Sequence, residues 1–225
     1  MSKLPVSRRS YVSAKNLERK AKKWIMDASA YAPKGKRPEF CPENAALLVL
    51  DMQHFFLDLD SHAFLPAGRA ILPNVALTAK EFQAKKLPVI FTKHALKKGE
   101  DPGAMGRWWK DVLQECDPRS EIVKALQAKA GKNILRKSQY DAFQDTNLEK
   151  ILRSAGVRQV VISGVMTSLC CETTARSAFV RGFDVFFLAD GTATTNEILH
   201  ISALRTLAQG FAQVVSCREI ISKLQ

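Results

Sequence analysis

Ala45-Ala-Leu-Leu-Val-Leu-Asp51 is a run of six apolar residues closed by an acid. A run this short and unbroken reads as a strand buried on both faces, the habit of parallel sheets covered by helices. Similar stretches follow at Pro88-Val-Ile-Phe-Thr-Lys93, Asn133-Ile-Leu-Arg-Lys137, Gln159-Val-Val-Ile-Ser163, Asp184-Val-Phe-Phe-Leu-Ala189 and Gln213-Val-Val-Ser216. Helical periodicity fills the gaps at 70–86, 120–130, 147–155, 168–181 and 196–209. Gly156, Gly182 and Gly210 stand where left-handed residues commonly close helices. Strand alternating with helix predicts an α/β fold: a three-layer α/β/α, Rossmann-like arrangement around a six-stranded, mostly parallel sheet.

The 225 residues are 46% apolar and 25% charged, which suits a folded globular chain and excludes a disordered or collagenous one. No apolar run reaches bilayer-spanning length and the first residues lack a secretory core, so an intracellular, cytoplasmic protein is expected. The formal charge of +12 is concentrated: residues 1–40 hold eleven Lys/Arg and three acids. Arg8, Arg9, Lys15, Arg19, Lys20, Lys22, Lys23, Lys34, Lys36 and Arg37 therefore mark residues 1–44 as a basic, partly helical extension, and 45–225 as the principal domain. A charge block of this kind reads as a solvated arm or a segment wrapped on or exchanged between subunits, not as a nucleic-acid surface. Glu18, Asp27 and Pro5 argue against an organellar transit peptide. The five cysteines (41, 116, 170, 171 and 217) are odd in number and show no Cys-x-x-Cys spacing, so neither a disulfide framework nor a zinc site is expected.

In such sheets ligands bind beyond the carboxyl ends of the strands. The first strand ends at Asp51, the third runs into Lys137, and the fourth runs into Gly164-Val-Met-Thr-Ser-Leu-Cys-Cys. Thr167 or Ser168 suits the cap of the next helix, which puts Cys170 in its first turn. There free N–H groups and a neighbouring lysine favour a thiolate. Cys171 points about 100° away around the helix, towards the sheet. Gln53 breaks the Asp-x-Asp pattern of haloacid-dehalogenase phosphotransferases, and no acid pair of a receiver domain follows the first strand.

Ala46-Leu-Leu-Val-Leu-Asp-Met-Gln, Val89-Ile-Phe-Thr-Lys-His, Lys137-x-x-Tyr-x-Ala-Phe143, Gly164-Val-x-Thr-x-x-Cys170 and Glu172-x-Thr-Ala-Arg-x-Ala-Phe179 together resemble the isochorismatase-like cysteine hydrolase superfamily over about residues 45–217. The resemblance implies an Asp51–Lys137–Cys170 triad, a cis peptide before Met166, and an oxyanion hole from the N–H groups of Met166 and Cys170. It also implies a cysteine-dependent hydrolase cleaving the C–N bond of a small amide, ureide or carbamoyl compound through a thioester, without a cofactor, in a homodimer or homotetramer. Nicotinamidases of this superfamily hold a metal with Asp-x-His and a second His after the second strand. This chain has Lys93-His-Ala-Leu-Lys-Lys-Gly there, so no metal is expected and nicotinamide is disfavoured. Asp60-Ser-His62 has a ligand-like spacing but lies in a loop.

True isochorismatases lack the nucleophilic cysteine, so Cys170 points to the amidohydrolase branch. Vinyl-ether hydrolysis with Asp51 as acid, and a binding or scaffold protein on the same fold, are the alternatives. Arg107, Trp108, Tyr140 and Val165 are the expected substrate-binding residues. Phe143 is expected in the core, and His54 as a hydrogen-bonding group rather than a base.

Overall fold

The computed structural model describes residues 10–109, 111–128 and 133–225; Arg8, Arg9 and Pro5 lie outside them. Six parallel strands form one sheet: β1 (Ala45–Leu50), β2 (Val89–His94), β3 (Ile134–Lys137), β4 (Gln159–Val165), β5 (Asp184–Ala193) and β6 (Gln213–Val215), in the order β3-β2-β1-β4-β5-β6. All six residues of β1 are buried, because the strand is central and covered on both faces. It pairs with β2 through Leu47 and Val89 and with β4 from Ala45 and Gln159 to Leu50 and Gly164. Strand order reverses between β1 and β4, and there the ends of neighbouring strands diverge to leave a crevice.

The flanking helices are α1 (Leu17–Ser29), α2 (His54–Leu57), α3 (Pro66–Ala84), α4 (Gly103–Trp109), α5 (Leu148–Ser154), α6 (Glu172–Val180), α7 (Glu197–Gly210) and α8 (Cys217–Ser222). Asn196 caps α7 by accepting from Leu199 N–H, and Ser216 caps α8 by accepting from Glu219 N–H. Among the described residues no helix is long and apolar enough to cross a membrane.

Four expectations need correction. Residues 120–128 form no α-helix; short 3-10 turns occupy Pro118–Ser120 and Lys124–Leu126, and residues 129 and 130 lie outside the described ones. The backbone there bonds sideways to the end of β1: His54 N–H donates to Glu121 O and Val123 N–H to Met52 O. Gly210 stays inside α7, while Gly156 and Gly182 close their helices at φ of 71° and 80°. Neither Thr167 nor Ser168 caps the helix after β4; both hydroxyls turn to other partners, His200 and Thr194. The described part of the basic extension is not a solvated arm, because Leu17, Ala21, Trp24 and Ala28 recur at helical spacing and bury one face of α1 in the common core.

Candidate active site

The end of β1 is bent by Asp51, whose φ of 52° lies in the left-handed region that Asp tolerates better than most residues. Its N–H reaches Thr92 O and Thr92 Oγ1, both at 3.2 Å, and the Thr92 hydroxyl donates to Asp51 Oδ1 at 2.6 Å. These bonds aim the carboxylate at Lys137, which arrives from the edge strand β3. Lys137 Nζ lies 2.7 Å from Asp51 Oδ2, and both side chains are fully buried. The ammonium also donates to Gln139 O at 2.9 Å and to Cys170 Sγ at 3.3 Å.

Cys170 is carried by the β4 end. Gly164, at φ 110°, lies so close to β1 that a Cβ would sit 2.0 Å from Leu50 O. The Val165–Met166 peptide is cis, and Thr167–Cys171 forms a π-helical turn before α6. Met166 N–H has no hydrogen-bond partner among the described residues. The Cys171 sulfur points to Ser163 O, on the sheet side.

Burial pushes the Cys170 thiol up, and the Asp51 charge adds to this while Lys137 opposes it; the balance is about 12. The expected resting thiolate is therefore corrected to a protonated thiol, because loss of solvent outweighs one ammonium. For Lys137 burial acts downwards, but the Asp51 carboxylate, and the Cys170 sulfur once ionised, overcome it and hold the ammonium above its ordinary range.

Cys170 opens onto a cleft of about 280 Å³ whose walls are largely apolar, among them Phe55, Phe56, Phe64, Met105, Leu113 and Leu169. His94, Tyr140 and Thr195 add polar groups, and His62 pairs with Asp111 at the rim. Of the expected binding residues only Tyr140 lines this cleft. Val165 is buried beneath it, and Arg107 and Trp108 lie on the exposed face of α4, with Trp108 79% exposed. Trp109 lines it instead, and its Nε1 donates to the Tyr140 hydroxyl. Met105 and Trp109 are four residues apart and share a helix face, a spacing that could have singled them out. Phe143 packs on Phe183 in the core, and His54 bonds to Asp58 away from the cleft.

Sequence reasoning missed two supporting groups. Buried Gln53 bonds His94 through both backbone groups and also reaches Ser120 O, fixing the cleft side of β2. His94 Nδ1 is buried with no hydrogen-bond partner among the described residues, and burial first, then Lys137, drive its pKa down to about 4.

A family model described as "Isochorismatase domain" matches residues 45–219. The chain belongs to the isochorismatase family. Among its relatives, "Nicotinamidase 3" of Arabidopsis thaliana is 42% identical over 179 residues, covering 78% of this chain and 86% of that one. "Enterobactin synthase component B" of Escherichia coli strain K12 is 29% identical and covers 81% of this chain, which spans 64% of that protein. The fold is shared with a cysteine hydrolase from Pseudomonas syringae pv. phaseolicola 1448A, at TM-score 0.80 and 24% identity over 85% of this chain and 97% of that one. It is also shared with N-carbamoylsarcosine amidase from Thermoplasma acidophilum, at TM-score 0.68 and 25% identity over 77% and 96%. Membership of this isochorismatase family makes the protein a hydrolase.

Proposed function

We propose that the protein hydrolyses the C–N bond of a small amide, ureide or carbamoyl compound, with Cys170 as nucleophile, Asp51 as proton carrier and Lys137 as the fixed positive charge between them. The observation that carries this reading is the convergence of Asp51 and Cys170 on the Lys137 ammonium, at 2.7 Å and 3.3 Å. Because the thiol rests protonated, attack on the substrate carbonyl requires Asp51 to take its proton as the C–S bond forms. The N–H groups of Met166 and Cys170 receive the developing oxyanion; one such donor is typically worth about 10²–10³ in rate. Asp51 then returns the proton to the departing nitrogen as the C–N bond breaks, leaving a thioester. Water, deprotonated by Asp51, attacks the thioester, and the released sulfur is reprotonated.

The apolar, aromatic walls favour a compact unsaturated or alkyl acyl group over a multiply charged one. Nicotinamide, which the missing metal ligands disfavour, returns as the first compound to test because a relative bearing that activity in its name is 42% identical. Homo-oligomerisation is part of the proposal, supported by exposed Val180 and Ile198, and light scattering after size exclusion tests it.

The decisive assay is ammonia release from nicotinamide and a panel of carbamoyl and ureido compounds. Loss of roughly 10³-fold or more in Cys170→Ala is expected. Equal activity of the two proteins on every hit would overturn the cysteine mechanism and favour acid catalysis by Asp51. No turnover of any compound, with intact folding, would favour a binding protein.

A further inference from the structure

We propose that the N-terminal helix α1 and Tyr11 before it are a positioning element for the nucleophile turn, acting through His200 and Thr194 on the consecutive residues Thr167 and Ser168. The proposal rests on the reading of Cys170 as nucleophile and goes beyond it, since among the described residues the extension touches none of the reacting groups.

Two chains of contact run from the extension to the turn. In the first, Trp24 is buried on α7 with its indole edge-on to the His200 ring, centroids 4.5 Å apart at 63°. The indole is held from behind: Nε1 donates to Glu197 Oε1 at 2.8 Å, and Lys20 pairs with the same carboxylate. His200 is wholly buried and both ring nitrogens are engaged. Nε2 faces Ala189 O at 3.1 Å, and a carbonyl can only accept, so Nε2 carries the hydrogen. Burial keeps the ring neutral, which leaves Nδ1 as an acceptor for the Thr167 hydroxyl at 3.0 Å. Tautomer, ring plane and hydroxyl are thus set in series. In the second chain, the Tyr11 hydroxyl accepts from Thr194 N–H at 3.3 Å, and Thr194 Oγ1 meets Ser168 Oγ at 2.9 Å. Tyr11 also lies 5.9 Å from the His200 ring, so the two chains brace each other.

Thr167 begins the π-helical turn, between Met166 and the nucleophile three residues on. Both hydroxyls that anchor the turn look away from the cleft towards the extension. Catalysis is sensitive to placement of this kind, since a displacement near 1 Å can cost about 10²-fold in rate.

The test uses the full chain and p-nitrophenyl acetate, an ester that acylates a reactive thiol with release of p-nitrophenolate. The single-turnover acylation constant and the half-saturation concentration are measured well below the melting temperature of each variant. Thr167→Val, which keeps the shape and loses the hydroxyl, is expected to slow acylation about tenfold with half-saturation within twofold, and Thr167→Ser to restore it. Trp24→Phe and Tyr11→Phe are expected to slow it two- to fivefold, and Trp24→Phe to have less than its full effect in the Thr167→Val background. If Trp24→Phe fails to fold, Tyr11→Phe and the Thr167 pair carry the test. Wild-type acylation rates in Thr167→Val and Tyr11→Phe, with only the melting temperature lowered, would reduce the extension to a cover and overturn the proposal. Cys170→Ala separates the two readings: a burst persisting in that variant overturns the nucleophile, whereas its loss there leaves the other variants to judge the extension alone.

Discussion

Replacing Lys137 by Met removes one half of a fully buried ion pair and leaves the Asp51 carboxylate without its countercharge. Breaking such a pair from one side costs about 3–5 kcal/mol, because the remaining ion keeps its desolvation penalty. For a chain of this length that corresponds to a fall in melting temperature of roughly 6–20 °C. Asp51→Asn breaks the pair from the other side at comparable cost; Asn tolerates the left-handed backbone at this position and still offers Thr92 an acceptor. The double variant Asp51→Asn/Lys137→Met leaves no ion behind. It is expected to regain at least about 2 kcal/mol over Lys137→Met, with a residual deficit of about 1–3 kcal/mol from the Gln139 carbonyl that has lost its donor. All three variants are expected to be inactive, so stability returns in the double variant while turnover does not. Urea unfolding at pH 7 measures the four-cornered cycle. Additive losses, near 6–10 kcal/mol in the double variant, or a Lys137→Met protein within about 1 kcal/mol of wild type, would refute the charged, buried pair.

Gly164→Ala is expected to abolish soluble folded protein or to cost more than about 4 kcal/mol, since its Cβ would press on the Leu50 backbone; a normal melting curve would contradict this. Trp109→Ala is expected to raise KM about five- to tenfold with kcat within threefold, whereas Arg107→Ala and Trp108→Ala leave both unchanged; steady-state kinetics on the best panel substrate decides. His94 and His200 both titrate near pH 4 in the fold against an ordinary 6.5, burial being the main cause. The unfolded chain therefore binds more protons between these values, and stability is lost as pH falls from about 6.5 to about 4, by up to roughly 3 kcal/mol per histidine. Urea midpoints over that window check the sign, and the slope should shrink by about half in His200→Gln.

What the sequence made legible follows from burial that a pattern can express. The β1 run is continuous because both faces are covered, and Asp51, Lys137 and Cys170 were found because parallel topology sends strand ends to one rim. The segment 120–128 was misjudged because its backbone partners, residues 52–54, are remote in sequence; Ile122 and Val123 suited an extended pairing that helical periodicity concealed. Trp108 was preferred to Trp109 although only the latter shares a face with Met105. The protonation of Cys170 was not legible at all, since helix dipole and lysine are visible in a sequence and the depth of solvent exclusion is not. His200 gave no signal for the same reason: a lone histidine on a helix becomes informative only when Trp24 and Thr167 are seen on either side of it.

Much of the cleft wall, at 55–65, Met105, Trp109 and 111–113, comes from segments outside the sheet, whereas the proposed reacting groups stand at or just beyond strand ends. In the proposed mechanism selectivity and reactivity are thus written largely on separate lengths of chain, and the outer wall can be rewritten by grafting with little disturbance of the floor. A scaffold so divided lends itself to diversification by loop replacement: relatives with one preserved floor can process unlike molecules, and a transplanted wall should carry its preference with it.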